Sequence, residues 1–194
     1  MSCCNRKDFC LSTGETFRPI FRWALETIDS KAITAITRAA PVVVTAVAHG
    51  LPEGWPCAVV GAQGMSQINA ERYPPRVNDW HKGTPLTADT VQLNSVSSTD
   101  YTAYTSGGFL VYHRPAELAG VTATFKVWAT PEHTGTPLVS LTELAGITVD
   151  NSTKTIIPMF QTEGETWTTG YYELAVTDPN DVVTTLVEGV ITLE

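Results

Sequence analysis

From Val121 to Trp128 the chain reads VTATFKVW, in which Val121, Ala123, Phe125 and Val127 alternate with Thr122, Thr124, Lys126 and Trp128. A period of two is the signature of a strand with one face buried. Similar short runs recur along the chain as PVVVTAVAHG, PCAVVGAQG, DTVQLNSV, TPLVSLT and GYYELAVTD, with glycine, proline, asparagine and aspartate between them. Those residues close turns, each through its own backbone preference. The expectation is an all-β protein.

With 194 residues, 43% of them hydrophobic, the chain has enough apolar surface for one large domain or two small ones. Charged residues make up only 16%, low for a free soluble protein, so part of the surface is expected to be covered by neighbours. The formal net charge is -8 and no run of Lys or Arg occurs, which argues against a nucleic-acid partner. The stretch PIFRWALETI is interrupted by Arg22 and is too short for a membrane span or a leader's apolar region. A protein made in cytoplasm, or assembled there into something larger, is expected.

Cysteine usage fits that compartment. Cys3, Cys4 and Cys10 crowd into MSCCNRKDFC, and Cys57 stands alone in EGWPCAVV. No second His or Cys pair stands at zinc-ligand spacing, so no metal is expected. Cys57 precedes the apolar run AVV and has no basic neighbour in sequence to lower its pKa, which reads as a buried structural thiol. No disulfide is needed in a reducing compartment.

Catalytic patterns are missing too. The chain carries no GxGxxG after a strand, no P-loop and no GxSxG elbow. Glu163 and Glu165 lie on a TEGET turn and read as solvated, and His49 and His113 read as strand-end residues. The expectation is a non-enzymatic protein with no cofactor.

Two family resemblances emerge from longer phrases. The first rests on GETFRPIFRWA, LAGVTATFKVWAT, LAGITVDNSTKTIIPMF and GYYELAVTDPNDVVTTLVEGVITL, where Gly14, Thr16, Phe17, Gly120, Gly170, Tyr172, Asp178, Glu188 and Gly189 fall on a common pattern. It resembles the small immunoglobulin-like domain of tailed-phage structural proteins, similar to the N-terminal domain of siphophage baseplate upper proteins. Asn180-Asp181 replaces the glycine usual in the last hairpin, at a turn that needs positive φ.

The second rests on His49, Gly50, Leu51, Gly54, Gly64, Met65, Ile68, Asn69 and Tyr73, followed by Tyr101, Tyr104, Gly107 and Gly108 in YTAYTSGG. It resembles a phage module similar to the first catalytic cysteine half-domain of ubiquitin-activating enzymes. In those enzymes activation needs a nucleotide-binding fold and a thiolate that this chain does not offer. The sequence departs from the pattern in YPPRVNDWHKGTPLTADTVQL, which is expected to form a protruding loop. Gly50, Gly64, Asn69, Gly107 and Gly108 are expected to determine turns, and at least one of the two tyrosines to pack over the core with its hydroxyl on a backbone partner.

The resemblances imply an immunoglobulin-like β-sandwich of residues 14–31 plus 113–194, interrupted by a small β-barrel-like module at 32–112. Residues 14–27 are read as its first strand, paired with the last strands, and residues 1–13 as an N-terminal arm that orders only on a neighbouring subunit. They imply a virion protein that binds other virion subunits, forms a homo-oligomer, and serves as a tail, baseplate, collar or fibre-attachment adaptor. A capsid decoration or cement protein is the alternative, and a carbohydrate-binding host-adhesion module is the alternative of a different class. The candidate interface residues are Cys3, Cys4, Arg6, Phe9, Cys10 and the tryptophans Trp55, Trp80, Trp128 and Trp167, read as exposed.

Overall fold

A computed structural model describes residues 5–194. Apart from two single-turn 3-10 segments, its regular structure is all strand. The chain divides into two compact units. One is made of residues up to Trp23 together with Glu117–Glu194, and the other is Ala24–Ala116. The boundaries fall at 23/24 and 116/117, where 31/32 and 112/113 were expected.

The first residues supply three short strands, β1 (Asn5–Arg6), β2 (Phe9–Leu11) and β3 (Thr16–Phe17). The second unit follows with β4 (Ala24–Ile36), β5 (Val42–Ala46), β6 (Trp55–Val60), β7 (His81–Pro85), β8 (Thr90–Leu93) and β9 (Phe109–Pro115). The chain then returns to the first unit with β10 (Thr122–Trp128), β11 (Val139–Thr142), β12 (Ile147–Asp150), β13 (Thr155–Pro158) and β14 (Phe160–Gln161). It ends with β15 (Thr169–Thr177) and β16 (Val183–Leu193).

In the first unit the main sheet runs β1-β16-β15-β10-β11, and β2 also pairs with β16. The alternation read in VTATFKVW is real: Ala123, Phe125 and Val127 are buried while Thr122, Thr124 and Lys126 are less so. Trp128 departs from it and is buried as well. Two small ladders, β12-β13 and β14-β3, complete the unit. Aromatic rings tie the β3-β14 ladder to the sheet: Phe17 sits 5.5 Å from Phe125 and 5.0 Å from Phe160, and Phe125 stacks on Tyr172 at 5.2 Å. In the last hairpin Asp178 accepts hydrogen bonds from the amides of Asn180 and Val182, and Asp181 takes φ 62, as that turn requires.

The N-terminal residues do not behave as expected. Residues 5–11 are no free arm; β1 and β2 run parallel to β16, pairing Asn5 with Val187 and Phe9 with Ile191. Phe9 packs its ring edge-on against Phe17 at 5.1 Å and lies 5.8 Å from Tyr172. Between the two strands the Asp8 carboxylate accepts from the Val190 amide and the Tyr172 hydroxyl donates to the Lys7 carbonyl. The segment covers an edge of β16 that would otherwise stand unpaired.

Nor is GETFRPIFRWALETI one strand. Pro19 cannot donate to a ladder, so the run splits into β3, a single bridge from Phe21 to Ile156, and β4 in the other unit. β3 pairs with β14, and the N-terminal strands that pair with β16 are β1 and β2.

Gly189 shows why the N-terminal strands seat so closely. A Cβ at this position would overlap the Lys7 carbonyl oxygen and reach within 3.0 Å of the Asp8 carboxylate. Gly189→Ala is therefore expected to push β1 away from β16. Amide exchange should accelerate at Lys7 and Val190, at a stability cost of about 1–3 kcal/mol, readable by hydrogen-exchange mass spectrometry and thermal melting.

The second unit is a closed barrel with strand order β4-β5-β8-β7-β6-β9. Closure removes sheet edges. β4 serves two neighbours: Ala24 to Ala32 face β9, and Ile33 to Ile36 face β5 across a bulge. Interior positions alternate along β5, where Val42, Val44 and Ala46 are buried, and along β8, where Val91 and Leu93 are. Trp55, Cys57 and Val59 point inward from β6. Gly83 on β7 leaves room for them, since a Cβ there would lie 2.8 Å from Val91 and 3.1 Å from the Cys57 sulfur. The segment expected to protrude supplies two barrel strands, β7 and β8; the stretch before them, with exposed Tyr73 and Val77, and the turn at 86–89 between them stay outside the strands.

Candidate functional site: a polar cleft beside the tyrosine clasp

YTAYTSGG closes one side of the barrel by clasping the turn 61–69. The Gln63 amide donates to Ser106 O at 2.9 Å, and the Thr105 amide donates back to Gln63 O at 2.9 Å. Asn69 folds onto Ala62 as a surrogate strand, accepting from its amide at 2.8 Å and donating to its carbonyl at 2.9 Å. The Tyr104 hydroxyl lies 2.9 Å from the carbonyls of Ile33 and Gly107. Both Tyr101 and Tyr104 pack against the barrel core.

Glycine is required at the two points of closest approach. Gly64 has φ +80, and a Cβ on it would overlap the Ala103 carbonyl oxygen and come 2.9 Å from the Thr105 nitrogen. Gly108 has φ +85 and would place a Cβ 2.7 Å from the Ala62 nitrogen. Gly107 and Gly50 also take positive φ but have space around them.

His49 has a structural place. Its Nδ1 accepts from the Leu51 amide at 3.0 Å, and Nε2 lies 3.2 Å from Thr87 O, an arrangement that fits a ring with its proton on Nε2. The Tyr112 hydroxyl donates to the His49 carbonyl. Every polar atom of this buried group is satisfied, which makes the HGL phrase a turn anchor.

Beside the clasp opens a cleft of about 260 Å³. Its walls carry Gln67, Asn78, Asp79, His81, Ser95 and the ring of Tyr101. His81 stands at the start of β7, and its Nδ1 is 3.1 Å from the Ser95 hydroxyl. Burial pulls the His81 pKa below its ordinary value against a smaller opposing effect of Asp79, leaving a neutral imidazole at pH 7. Asp79 is held by the Arg76 amide, which donates to one carboxylate oxygen at 2.7 Å. The 3-10 turn Val77–Asp79 places Asn78 and Asp79 on the rim.

A Ser–His pair at this distance invites a nucleophile reading. Asp79, however, hydrogen-bonds its own turn at Arg76, and no hydrogen bond joins it to the His81 ring to orient the imidazole. Among the described residues no group of three or more His, Cys, Asp or Glu side chains converges in metal-binding geometry.

The expected interface residues differ in exposure. Cys3 and Cys4 lie outside the described residues. Arg6 is exposed and pairs with Asp8 at 3.3 Å. Phe9 is half-buried, with its ring edge-on against Phe17 and Phe21. Cys10 is exposed, and a hydrogen bond with Glu194 raises its pKa. Trp55, read as exposed, is 1% exposed, because it fills the barrel interior and its indole N–H donates to His113 O at 2.8 Å. Trp128, at 9%, stacks on His133 with centroids 4.5 Å apart. Trp80 is half-buried beside His113, and half-buried Trp167 donates to Glu165 at 2.7 Å. Gly64, Asn69, Gly107 and Gly108 converge in the clasp.

The cleft residues Asn78, Asp79 and His81 were missed as a site. The available signal was their position, since all three stand in the one segment that departs from the second family pattern.

Cys57 is fully buried, and burial pushes its thiol up to about 12. Treatment of the native protein with iodoacetamide at pH 8 is expected to leave Cys57 unmodified while denaturation exposes it, as peptide mass spectrometry would read.

No protein-family model matches the chain, and no curated protein matches it either.

Proposed function

We propose that this chain is a non-enzymatic structural component of a tailed-phage particle, acting in the tail, baseplate, collar or fibre-attachment region through protein–protein interfaces. The observation that supports it most is how the two phage-module phrases fall on the fold. His49, Gly64, Asn69, Tyr104, Gly107 and Gly108 build the turn anchor and clasp of the barrel. Phe17, Tyr172, Asp178 and Gly189 lie in the other unit, at its aromatic core, its last hairpin and its N-terminal seat. Each phrase is thus spent on contacts within a single compact unit.

An interface role also fits exposed apolar side chains at one end of the barrel. Val47 is 59% and Leu86 52% exposed, on segments that bond to each other where the His49 amide donates to Ala88 O and the Ala48 amide to Asp89. Apolar side chains clustered on a surface mark contact sites.

On this reading Val47→Glu with Leu86→Glu leaves the barrel folded, since both side chains lie outside its core, but prevents incorporation into particles. The check is immunoblotting of purified particles against the soluble lysate. Normal incorporation of the folded double variant counts against this end of the barrel as the contact.

A further inference from the structure

We propose that the cleft beside Tyr101 binds one neutral sugar residue of a glycan. This goes beyond the assembly role and does not depend on it. The cleft holds about 260 Å³, room for a single pyranose ring. Its lining is a mixture of amide, hydroxyl, imidazole and carboxylate around one aromatic ring, chemistry that suits a ligand rich in hydroxyl groups with an apolar C–H face.

The groups available to a ligand follow from what the fold already uses. The Asn78 amide and the Tyr101 hydroxyl make no hydrogen bond within the described residues, while Gln67 uses only Oε1, which accepts from Thr102. One oxygen of Asp79 is held by Arg76, and the other remains to accept from a sugar hydroxyl. The Ser95 hydroxyl lies 3.1 Å from His81 Nδ1 and so occupies that nitrogen. Donors and acceptors are thereby both present, held by β7, by the 3-10 turn at Val77–Asp79 and by the clasp.

Charge selects against other ligand classes. Among the described residues of the lining Asp79 is the only carboxylate and neither Lys nor Arg joins it, so a phosphate or carboxylate ligand meets no cation there and one repelling charge. A metal ion would find one carboxylate, short of the set that such ions need. Tyr101 packs against the barrel core and also belongs to the cleft lining, which holds it in place beside a ligand.

The test is amide-resolved NMR titration of the full chain with methyl glycosides of glucose, galactose, mannose, rhamnose and N-acetylglucosamine, with inorganic phosphate as comparison. At least one glycoside is expected to shift the Asn78, His81 and Ser95 resonances, with a dissociation constant on the order of 1 mM. Tyr101→Ala and Asn78→Ala should each weaken it by about tenfold. Asn78→Ala keeps the test open if loss of the Tyr101 ring loosens the barrel, because the Asn78 side chain makes no hydrogen bond among the described residues. The proposal is overturned if no glycoside shifts these resonances at about 50 mM, well above the expected constant. It is equally overturned if Asn78→Ala leaves the dissociation constant unchanged, or if phosphate alone produces the shifts.

Discussion

Residues 117–194 expressed alone are expected to be unfolded, while a chain in which a short Gly/Ser linker replaces residues 24–116 is expected to fold. The fragment lacks β1, β2 and β3, and with them Phe9, Phe17 and Phe21, whose rings close the aromatic core. Each large side chain withdrawn removes about 1.5–3 kcal/mol of burial. Three of them together approach the roughly 5–15 kcal/mol that holds a whole domain. The fragment also leaves β16 unpaired along one edge. The linker chain keeps all of this. Its new join is short because Ala24 and Pro115 are paired directly across β4 and β9, so the two crossing points of the chain are neighbours. Circular dichroism and a cooperative thermal melt distinguish the outcomes. A folded fragment beside an unfolded linker chain would mean that the N-terminal strands are incidental to the unit.

The second large effect is Gly64→Ala. Two costs act there: positive φ, about 1–2 kcal/mol for a residue with a Cβ, and overlap with the Ala103 carbonyl. The neighbour is backbone and cannot rotate away, so the clasp must open. A loss of about 3 kcal/mol or more is expected, or a fall of at least 10 °C in a barrel of this size. Gly50→Ala separates the two costs. Gly50 has φ +66 but nothing near its Cβ direction, so it should show only the first, about 1–2 kcal/mol. Equal losses at both positions would show that the close approach contributes nothing.

Where the sequence was legible, the reason is periodicity. VTATFKVW, PVVVTA and DTVQL alternate because one face of each is buried, and each is a strand with that pattern. The YTAYTSGG phrase was readable too, because glycine at positive φ and a tyrosine with a reachable carbonyl are local requirements. Strands of two or three residues carry no period, which is why β1 and β2 read as a polar arm, although Phe9 was their visible anchor. The tryptophans misled for a different cause. A large amphipathic ring suits an interface or a core equally, and only the barrel's closure, a long-range event, put Trp55 inside. The cleft was harder still, since its side chains come from loops, which have no pattern, and from separate parts of the barrel.

The measurement that bears most directly on the proposed role is cryo-electron microscopy of purified tailed particles from cells that express this chain, paired with quantitative mass spectrometry of the same preparation. Repeated copies are expected in the tail, with density for the closed barrel and for the aromatic-cored unit in each copy. Density on the capsid surface would move the protein to a decorating role. A chain that stays in the soluble lysate and is missing from the particles would contradict the account.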